Sequence, residues 1–493
     1  MVVIGAGVGG LCAALRLAAG GHDVTVCEAG HAVGGKLGTA AAGGFRFDTG
    51  PSLLTWPEVF EDTFAAAGVR LDDHLRLDRL DPAFAYRFAD GTWVTVPDGP
   101  PERVADALGD QLGGTAAEDW AAFSRHAEAV WRAVRGPFLS EPLHGPADLL
   151  RHSRRVRDLR TIAPWRTLRG TGRRFLRDPR LRVLLDRYAT YSGSDPRRAP
   201  AALSVVPWLE QTHGAWYVRG GLHGLAQALA ERARTAGARI RLGARVAAVG
   251  SDGVRVHGVR LADGDELAAD VVVCNADADR LYRELLAGTP RATRAPLRKL
   301  AGATPSLSGF VLMLGLRGAS PARAHHTVLF PGDYDAEFDG VFRTARPVPE
   351  PAVYAARPDD PATRPDDQHE AWFVLVNAPR QDQGRGMDWD RDGLADGYAD
   401  HLLAVMAERG VDVRDRVVHR GIRTPADLGR ATGAPGGSIY GTSSNGPVAA
   451  FLRPANRSPL RGLFLVGGSA HPGGGLPLVA QSAAIVARLI GPA

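Results

Sequence analysis

The chain has 493 residues, of which 45% are hydrophobic and 23% are charged, and its formal net charge is +5. This composition excludes disorder of the whole chain and allows two or more domains. We find no run of 18 apolar residues, the length of a membrane-spanning helix, and no signal-peptide pattern. Cys12, Cys27 and Cys274 lie in apolar patterns, which predicts buried thiols, no metal site and a reducing cytoplasm.

The first 28 residues read as a strand, a glycine-rich turn, a helix, a second strand and an acid. Gly5, Gly7 and Gly10 form a GxGxxG pattern after residues 1–4, and Glu28 follows 18 residues after Gly10. In such a unit the glycines permit a tight turn, close approach to a pyrophosphate and close helix packing, and the acid accepts from ribose hydroxyls. The pattern predicts a dinucleotide site without separating NAD from FAD. Small residues that merely pack a helix on a strand are the alternative.

A second glycine pair follows this unit. Gly34 and Gly35 come six and seven residues after Glu28, and Lys36 is next. Such a pair lets the chain pass beside the same ligand, and we expect Lys36 to bring a positive charge toward it. These residues favour a flavin nucleotide.

The segment Arg151–Arg182 is strongly basic. It holds twelve arginines and two acids, Asp158 and Asp178, with Trp165 and Phe175 among them. We expect it to be helical. Three interpretations compete, namely a solvated helical face, a nucleic-acid patch and a membrane-surface patch. Aromatic and apolar residues between the arginines suit an anionic membrane, whereas no other nucleic-acid motif accompanies them.

The later elements return to the nucleotide unit. Residues 214–275 read as a glycine-bounded aromatic turn, a helix, strands, a hairpin and a buried strand, and residues 346–368 read as a loop rich in proline and acids. Residues 463–468 repeat the strand-into-glycines pattern of the start, and a helix over 478–490 closes the chain.

The predicted fold class is α/β. We expect a Rossmann-like nucleotide domain from residues 1–75, 214–285 and 430–493. Residues 76–213 and 286–429 would form an inserted α+β substrate domain with a helical lid. The ligand would lie where the strand ends meet this second domain.

Several stretches resemble one family, the phytoene desaturase-type carotenoid desaturases and oxidases, which are FAD enzymes related to the amine oxidases. The stretches are residues 1–36, 47–52, 216–221 and 463–482, and 471–477 is the most family-specific. The Gly-Ser-Ile-Tyr-Gly run at 437–441, together with Gly-Gly-Ser at 467–469, resembles later-acting members. These are 3,4-desaturases of hydroxylated carotenoids and terminal-methyl oxidases, so phytoene itself is in doubt as the substrate.

The resemblance implies FAD as the cofactor. Glycines would pack on the pyrophosphate, Glu28 would hold the adenosine ribose, and the backbone of Val246 would meet the adenine. The turn before the last helix would lie against the flavin ring, although Pro477 also suits a plain helix start. The implied FAD-binding residues are Gly5, Gly7, Gly10, Glu28, Gly35, Lys36, Pro51, Ser52, Val246, Gly467, Gly468, Gly475, Leu476 and Pro477.

The implied reaction removes two hydrogens from a C–C unit of a long apolar carotenoid. His471 is a weak catalytic candidate, with a structural histidine as the alternative, and the catalytic residues are otherwise unassigned. Trp216 and Tyr217 would line a substrate tunnel, or else be core aromatics. We expect a quinone or oxygen as electron acceptor and no nucleic acid as partner. The enzyme would lie peripherally at the inner face of the cell membrane, docked through Arg151–Arg182.

Other functions stay open from the sequence. A terminal-methyl oxidase would add oxygen to the polyene, and a flavin-dependent isomerase would leave its mass unchanged. An amine oxidase-like enzyme would have a polar, acid-lined pocket for a soluble substrate. A flavin-binding partner without catalysis would turn over no polyene.

Overall fold

The computed structural model describes residues 1–142, 160–321, 323–384, 386–447 and 449–493. Its strands are β1 (Val2–Ile4), β2 (Thr25–Cys27), β3 (Thr39–Ala42), β4 (Phe45–Asp48), β5 (Leu54–Thr55), β6 (Leu77–Arg79), β7 (Phe84–Arg87), β8 (Trp93–Val96), β9 (Ala215–Val218), β10 (Arg239–Arg241), β11 (Val246–Ser251), β12 (Val256–Leu261), β13 (Glu266–Ala268), β14 (Val272–Cys274), β15 (Ser308–Arg317), β16 (His326–Leu329), β17 (Val353–Ala356), β18 (His369–Ala378), β19 (Val417–Arg423) and β20 (Leu463–Leu465).

Its α-helices are α1 (Val8–Ala19), α2 (Glu58–Ala65), α3 (Pro101–Leu112), α4 (Ala116–Val134), α5 (Leu168–Phe175), α6 (Pro179–Arg187), α7 (Val205–His213), α8 (His223–Thr235), α9 (Ala278–Arg280), α10 (Pro290–Gly302), α11 (Tyr334–Asp339), α12 (Leu394–Glu408), α13 (Pro425–Thr432), α14 (Ala449–Leu452) and α15 (Leu476–Ile490). Within the described ranges, none of these helices combines the length and apolarity that crossing a bilayer requires.

A five-stranded parallel sheet in the order β10-β2-β1-β14-β20 forms one half of the molecule. Its central strands are short and wholly buried, as parallel strands covered on both faces must be. Val3 pairs with Val26 on one side and with Val273 on the other. Helix α1 packs against α8 and α15 over one face of this sheet. All five strands come from residues 1–75, 214–285 and 430–493, and the α/β fold class is confirmed.

A seven-stranded mixed sheet in the order β19-β15-β18-β17-β16-β7-β8 forms the other half. Its strands fall within residues 76–213 and 286–429. The two long strands β15 and β18 pair antiparallel over their full length, from Ser308 with Ala378 to Arg317 with His369. This sheet supplies a broad apolar wall.

The prediction of a loop over residues 346–368 is wrong, because this stretch contains β17. Val353 pairs with Leu329 on β16 and with Val376 on β18. The strand has four residues between prolines, too few for a periodic pattern, so pairing with its two neighbours decides its conformation.

A small sheet in the order β5-β9-β6 joins the two halves. Leu54 pairs with Trp216, and Arg79 pairs with Trp216 from the other side. Strand β6 lies just beyond the boundary expected at residue 75, so the two regions share this sheet. In the basic segment, the arginines before residue 160 lie outside the described residues, and α5 and α6 follow.

Candidate functional site

A cavity of about 640 Å³ runs from the carboxyl ends of the parallel sheet to the seven-stranded sheet. Its position between the two halves follows the general rule for open α/β folds. Twelve of the residues expected to bind FAD line it, namely Gly5, Gly7, Glu28, Gly35, Lys36, Pro51, Ser52, Val246, Gly468, Gly475, Leu476 and Pro477. The structure thus brings together segments more than 400 residues apart.

Gly10 and Gly467 lie next to the lining residues but do not line the cavity themselves. A Cβ atom on Gly10 would strike the carbonyl oxygen of Gly5, so Gly10 permits close packing of α1 on the turn. Gly467 has φ of +93°, and its Cβ would stand 2.5 Å from Asn275 Oδ1. Both glycines therefore shape the cradle through packing.

The carboxylate of Glu28 is fixed at the end of β2. It accepts hydrogen bonds from the backbone N–H of Ala6 at 2.7 Å and of Gly30 at 2.8 Å. A carboxylate has about four lone-pair sites, so two of them are free to accept from ribose hydroxyls. The two backbone bonds hold the side chain at the cavity edge in advance of any ligand.

Asn275 is a site residue that the sequence did not single out. It follows β14, lines the cavity, and its backbone N–H donates to the Ile4 carbonyl at 2.9 Å. Its side chain lies against Gly7, Gly9 and Gly467. The signal in the sequence is a polar residue directly after a buried strand, at the edge where parallel sheets bind ligands.

The ammonium group of Lys36 is engaged by the protein. Its Nζ donates to the carbonyls of Ser438 at 2.8 Å and Ile439 at 2.6 Å. Burial lowers the pKa of Lys36 to about 8, and the nearby Asp277 carboxyl opposes that shift. Lys36 lines the cavity, but its charge ties the second glycine pair to residues 438–439 and does not extend freely toward phosphates.

The last helix begins at the cavity. Gly475 has φ of +103° and precedes α15, which starts at Leu476 with Pro477 in its first turn. The helix start foreseen for Pro477 is confirmed, and the same residues line the cavity. A helix N-terminus carries partial positive charge, which stabilises a nearby anion.

His471, Trp216 and Tyr217 do not line the large cavity. His471 Nε2 lies 3.0 Å from the Glu141 carbonyl oxygen. Trp216 Nε1 donates to the His213 carbonyl, and the Tyr217 hydroxyl donates to Asp360 at 2.9 Å. Tyr217 lines a small second pocket that shares Ser52 and Phe373 with the large cavity. The catalytic role of His471 and the tunnel role of the two aromatics stay predictions.

The half of the cavity beside the seven-stranded sheet is largely apolar. Val311, Val328, Phe373 and Leu375 lie along it. One hydrogen-bonded chain enters this wall. Ser52 Oγ lies 2.7 Å from the Tyr354 hydroxyl, which lies 2.8 Å from His326 Nδ1. Burial holds the pKa of His326 well below its usual value, which keeps the ring neutral.

The three cysteines are buried free thiols, as predicted. Among the residues that the structure describes, no group of three or more His, Cys, Asp or Glu side chains is placed to hold a metal ion.

Comparison with known proteins identifies the family. The model of the "Flavin containing amine oxidoreductase" family matches residues 8–491, and the chain belongs to that family. It is 33% identical to 4,4'-diapolycopene oxygenase of Methylomonas sp, covering 99% of this chain and 97% of the relative. It is 34% identical to hydroxyneurosporene desaturase of Rubrivivax gelatinosus, covering 99% and 93%. Among solved structures, cyclohexylamine oxidase of Brevibacterium oxydans IH-35A shares the fold, with a TM-score of 0.62, 16% identity and coverage of 99% and 98%.

The site fits the cofactor of this family, and the chain is an FAD-dependent oxidoreductase. The cradle at Gly7 and Gly9 has no room for a Cβ, the Glu28 carboxylate faces the cavity, and a helix N-terminus closes its far side. When bound, FAD supplies the redox chemistry by accepting a hydride from a substrate carbon. The glycine cradle, Glu28 and the N-terminus of α15 would hold the cofactor at the end of the cavity beside the parallel sheet.

Proposed function

We propose that this enzyme is a carotenoid desaturase that removes two hydrogens from a C–C unit of a long apolar polyene. The observation that supports this most is the composition of the cavity wall beside the seven-stranded sheet. Among the described residues that line the cavity, the acids are Glu28 and Asp277, and both belong to the nucleotide end. A cationic amine substrate would be balanced by an acid near its nitrogen, whereas apolar strand side chains suit a polyene.

The wall residues act by binding and by excluding water. Val311, Phe373 and Leu375 bury the polyene, which strengthens the interactions of charges inside the site. Removal of a hydride leaves a cation that the conjugated chain delocalises, so loss of the neighbouring proton needs little help from a side chain. The protein therefore acts mainly by positioning the reacting carbon.

The relatives include a zeta-carotene-forming phytoene desaturase, at 35% identity, as well as enzymes named for later carotenoids. One bears the name of a hydroxyneurosporene desaturase and another that of a diapolycopene oxygenase, at nearly equal identity. The run Gly-Ser-Ile-Tyr-Gly at 437–441 lies beside Lys36, and its Ile439 and Tyr440 line the cavity. We propose that lycopene-type or hydroxylated polyenes are substrates and that phytoene is not.

Expression in cells that make different carotenoids tests this function, with product mass and absorption as the readout. A desaturase lowers the mass by two hydrogens for each new double bond and shifts absorption to longer wavelength. A terminal oxidase adds oxygen, and an isomerase leaves the mass unchanged. Conversion of phytoene with no reaction of later polyenes would contradict the later-step assignment, and a gain of oxygen would favour the oxidase.

We also propose that the enzyme binds peripherally to the inner face of the cell membrane, where its substrate and a quinone acceptor dissolve. The docking surface consists of Trp165, which is 66% exposed, with the exposed Arg166, Arg173 and Arg174. Aromatic and basic side chains together suit an anionic interface.

The other described arginines of the basic segment mostly serve the fold. Arg169 pairs with Asp186 and Asp335, and Arg177 pairs with Asp119. The interpretation as a solvated helical face therefore accounts for part of the segment, and within its described part we place the docking surface at Trp165, Arg166, Arg173 and Arg174.

A further inference from the structure

Two arginines, Arg187 and Arg423, lie in the wall of the largely apolar substrate half. Arg423 Nη1 donates to the Thr49 carbonyl at 2.9 Å. Arg187 ends helix α6, is 6% exposed and lines the cavity. Aromatic rings surround its guanidinium carbon at 5.1 to 5.9 Å from their centroids, and they belong to Phe84, Tyr86, Tyr188, Tyr191 and Tyr354. Guanidinium groups stack well on such rings, so the cage fixes the group in place.

The charge of Arg187 is balanced through tyrosine hydroxyls. Glu210 is also 6% exposed and accepts from the hydroxyls of Tyr188 at 2.6 Å and Tyr191 at 2.9 Å. Arg187 Nη1 in turn donates to the Tyr191 hydroxyl at 3.1 Å. Burial opposes the charge, but Tyr191, Tyr86 and Glu210 outweigh it and hold the pKa of Arg187 well above its usual value. The guanidinium therefore stays charged.

Most of the hydrogen-bonding capacity of this group is unused. A guanidinium carries five N–H donors, and in the described part of the chain its hydrogen bond is the one to Tyr191. Buried polar groups without partners are costly, so a ligand that supplies an oxygen here would recover that cost.

We propose that Arg187, held in place by Tyr191, binds a hydroxyl oxygen of the substrate, so that the enzyme acts on a hydroxylated polyene in preference to the matching hydrocarbon. The inference rests on the proposed desaturase function and deepens it. A hydrocarbon would leave the guanidinium donors unpaired. A hydroxyl bound at Arg187 would also fix the register of the chain, which decides the C–C bond that reaches the flavin.

The test compares two polyenes of equal length and conjugation, one with a terminal hydroxyl and one without, on the purified FAD-loaded enzyme. For the wild type we expect kcat/KM to favour the hydroxylated polyene by roughly tenfold to a hundredfold, the range for a hydrogen bond to a charged group. Arg187→Met should abolish this preference, mainly by raising KM for the hydroxylated polyene. Equal efficiency on both polyenes by the wild type would overturn the proposal, as would an unchanged preference in the variant.

Two further variants separate recognition from folding. Arg169→Met removes an arginine of α5 that pairs with Asp186, the residue before Arg187 on α6, but Arg169 does not line the cavity. This variant should keep the preference for the hydroxylated polyene. Tyr191→Phe retains the cation but removes its anchor, so the preference should fall. If Arg187→Met does not retain FAD, the result with Tyr191→Phe decides, and an unchanged preference there overturns the proposal. Absence of turnover of any polyene by the wild type would instead contradict the desaturase function.

Discussion

The side-chain nitrogen of Asn275 lies 2.8 Å from the point where a Cβ atom on Gly7 would stand. Gly7 has φ of −70° and ψ of 170°, a conformation open to any residue, so space and not backbone strain requires glycine there. The corresponding point on Gly9 lies 2.6 Å from Asn275 Oδ1. Asn275 and the glycine turn thus form one fitted surface at the cavity floor.

Gly7→Ala should weaken FAD binding by about tenfold or more. The added methyl group would displace Asn275 and stand where the backbone must approach the pyrophosphate, and such overpacking typically costs about 1–3 kcal/mol. The measurement is the FAD dissociation constant by fluorescence quenching, together with the ratio of flavin to protein absorbance after gel filtration.

Gly397→Ala is the matched control, because nothing lies within 4 Å of its Cβ position in helix α12. It should keep FAD and gain about 0.5–1 kcal/mol of stability. In the double variant Gly7→Ala with Asn275→Ser, recovery of binding would assign the loss to the clash with Asn275. Wild-type affinity in Gly7→Ala alone would contradict the fitted-surface account.

Glu28→Gln should raise the FAD dissociation constant by roughly tenfold to a hundredfold. A glutamine oxygen can accept from Ala6 or Gly30 but its amide nitrogen then faces a donor, and the charge-assisted bonds to ribose hydroxyls are lost. Titration of the apoprotein with FAD measures this, with Glu61→Gln on the exposed face of α2 as control. Equal affinities for wild type and Glu28→Gln would remove Glu28 from the ribose site.

The nucleotide half was predictable from the sequence because its chemistry is local. Gly5, Gly7 and Glu28 lie within one βαβ unit whose spacing indicates a dinucleotide ligand. Asn275 was not predictable in the same way, since its role depends on β14 pairing beside β1. A polar residue after a buried strand can be assigned to the ligand site only when the order of the strands in the sheet is known.

The substrate half depends on contacts that no local pattern records. Arg187 is one arginine among many in an arginine-rich stretch, and its aromatic cage comes from β7, β17 and residues just beyond α6. Trp216, which the sequence offers as a tunnel residue or a core aromatic, lies in β9 with its indole bonded to the His213 carbonyl. Packing between residues distant in the sequence decides that Arg187 lines the cavity and that Trp216 does not.

Arg173→Glu with Arg174→Glu should lower flotation with anionic liposomes. Each basic residue near an anionic surface contributes about 1 kcal/mol, so reversing two charges should weaken binding by at least roughly tenfold, and added salt should reduce the difference. Arg291→Glu with Arg294→Glu makes the same charge change on exposed positions of α10 and should float like the wild type. Equal flotation of the two double variants would contradict the proposed docking surface.

Glu337 should make stability depend on pH in a predictable direction. Its carboxyl is fully buried and accepts from the Ala352 N–H at 2.6 Å and from Asn377 Nδ2 at 2.7 Å. Burial raises its pKa from 4.5 to about 7, with both hydrogen bonds opposing the shift. Between these values the native state holds a proton that the unfolded state has lost, so the free energy of unfolding falls as pH rises from 4.5 to 7.

Glu337→Gln should remove that dependence, because the amide does not titrate. The free energy of unfolding of the wild type, measured relative to the variant by urea unfolding, should fall by up to about 3 kcal/mol between pH 4.5 and 8. Glu408→Gln changes an exposed carboxyl at the end of α12 and should keep the wild-type slope. If the difference between wild type and Glu337→Gln grows in favour of the wild type as pH rises, the Ala352 and Asn377 hydrogen bonds outweigh burial and the carboxyl is ionised in the folded protein.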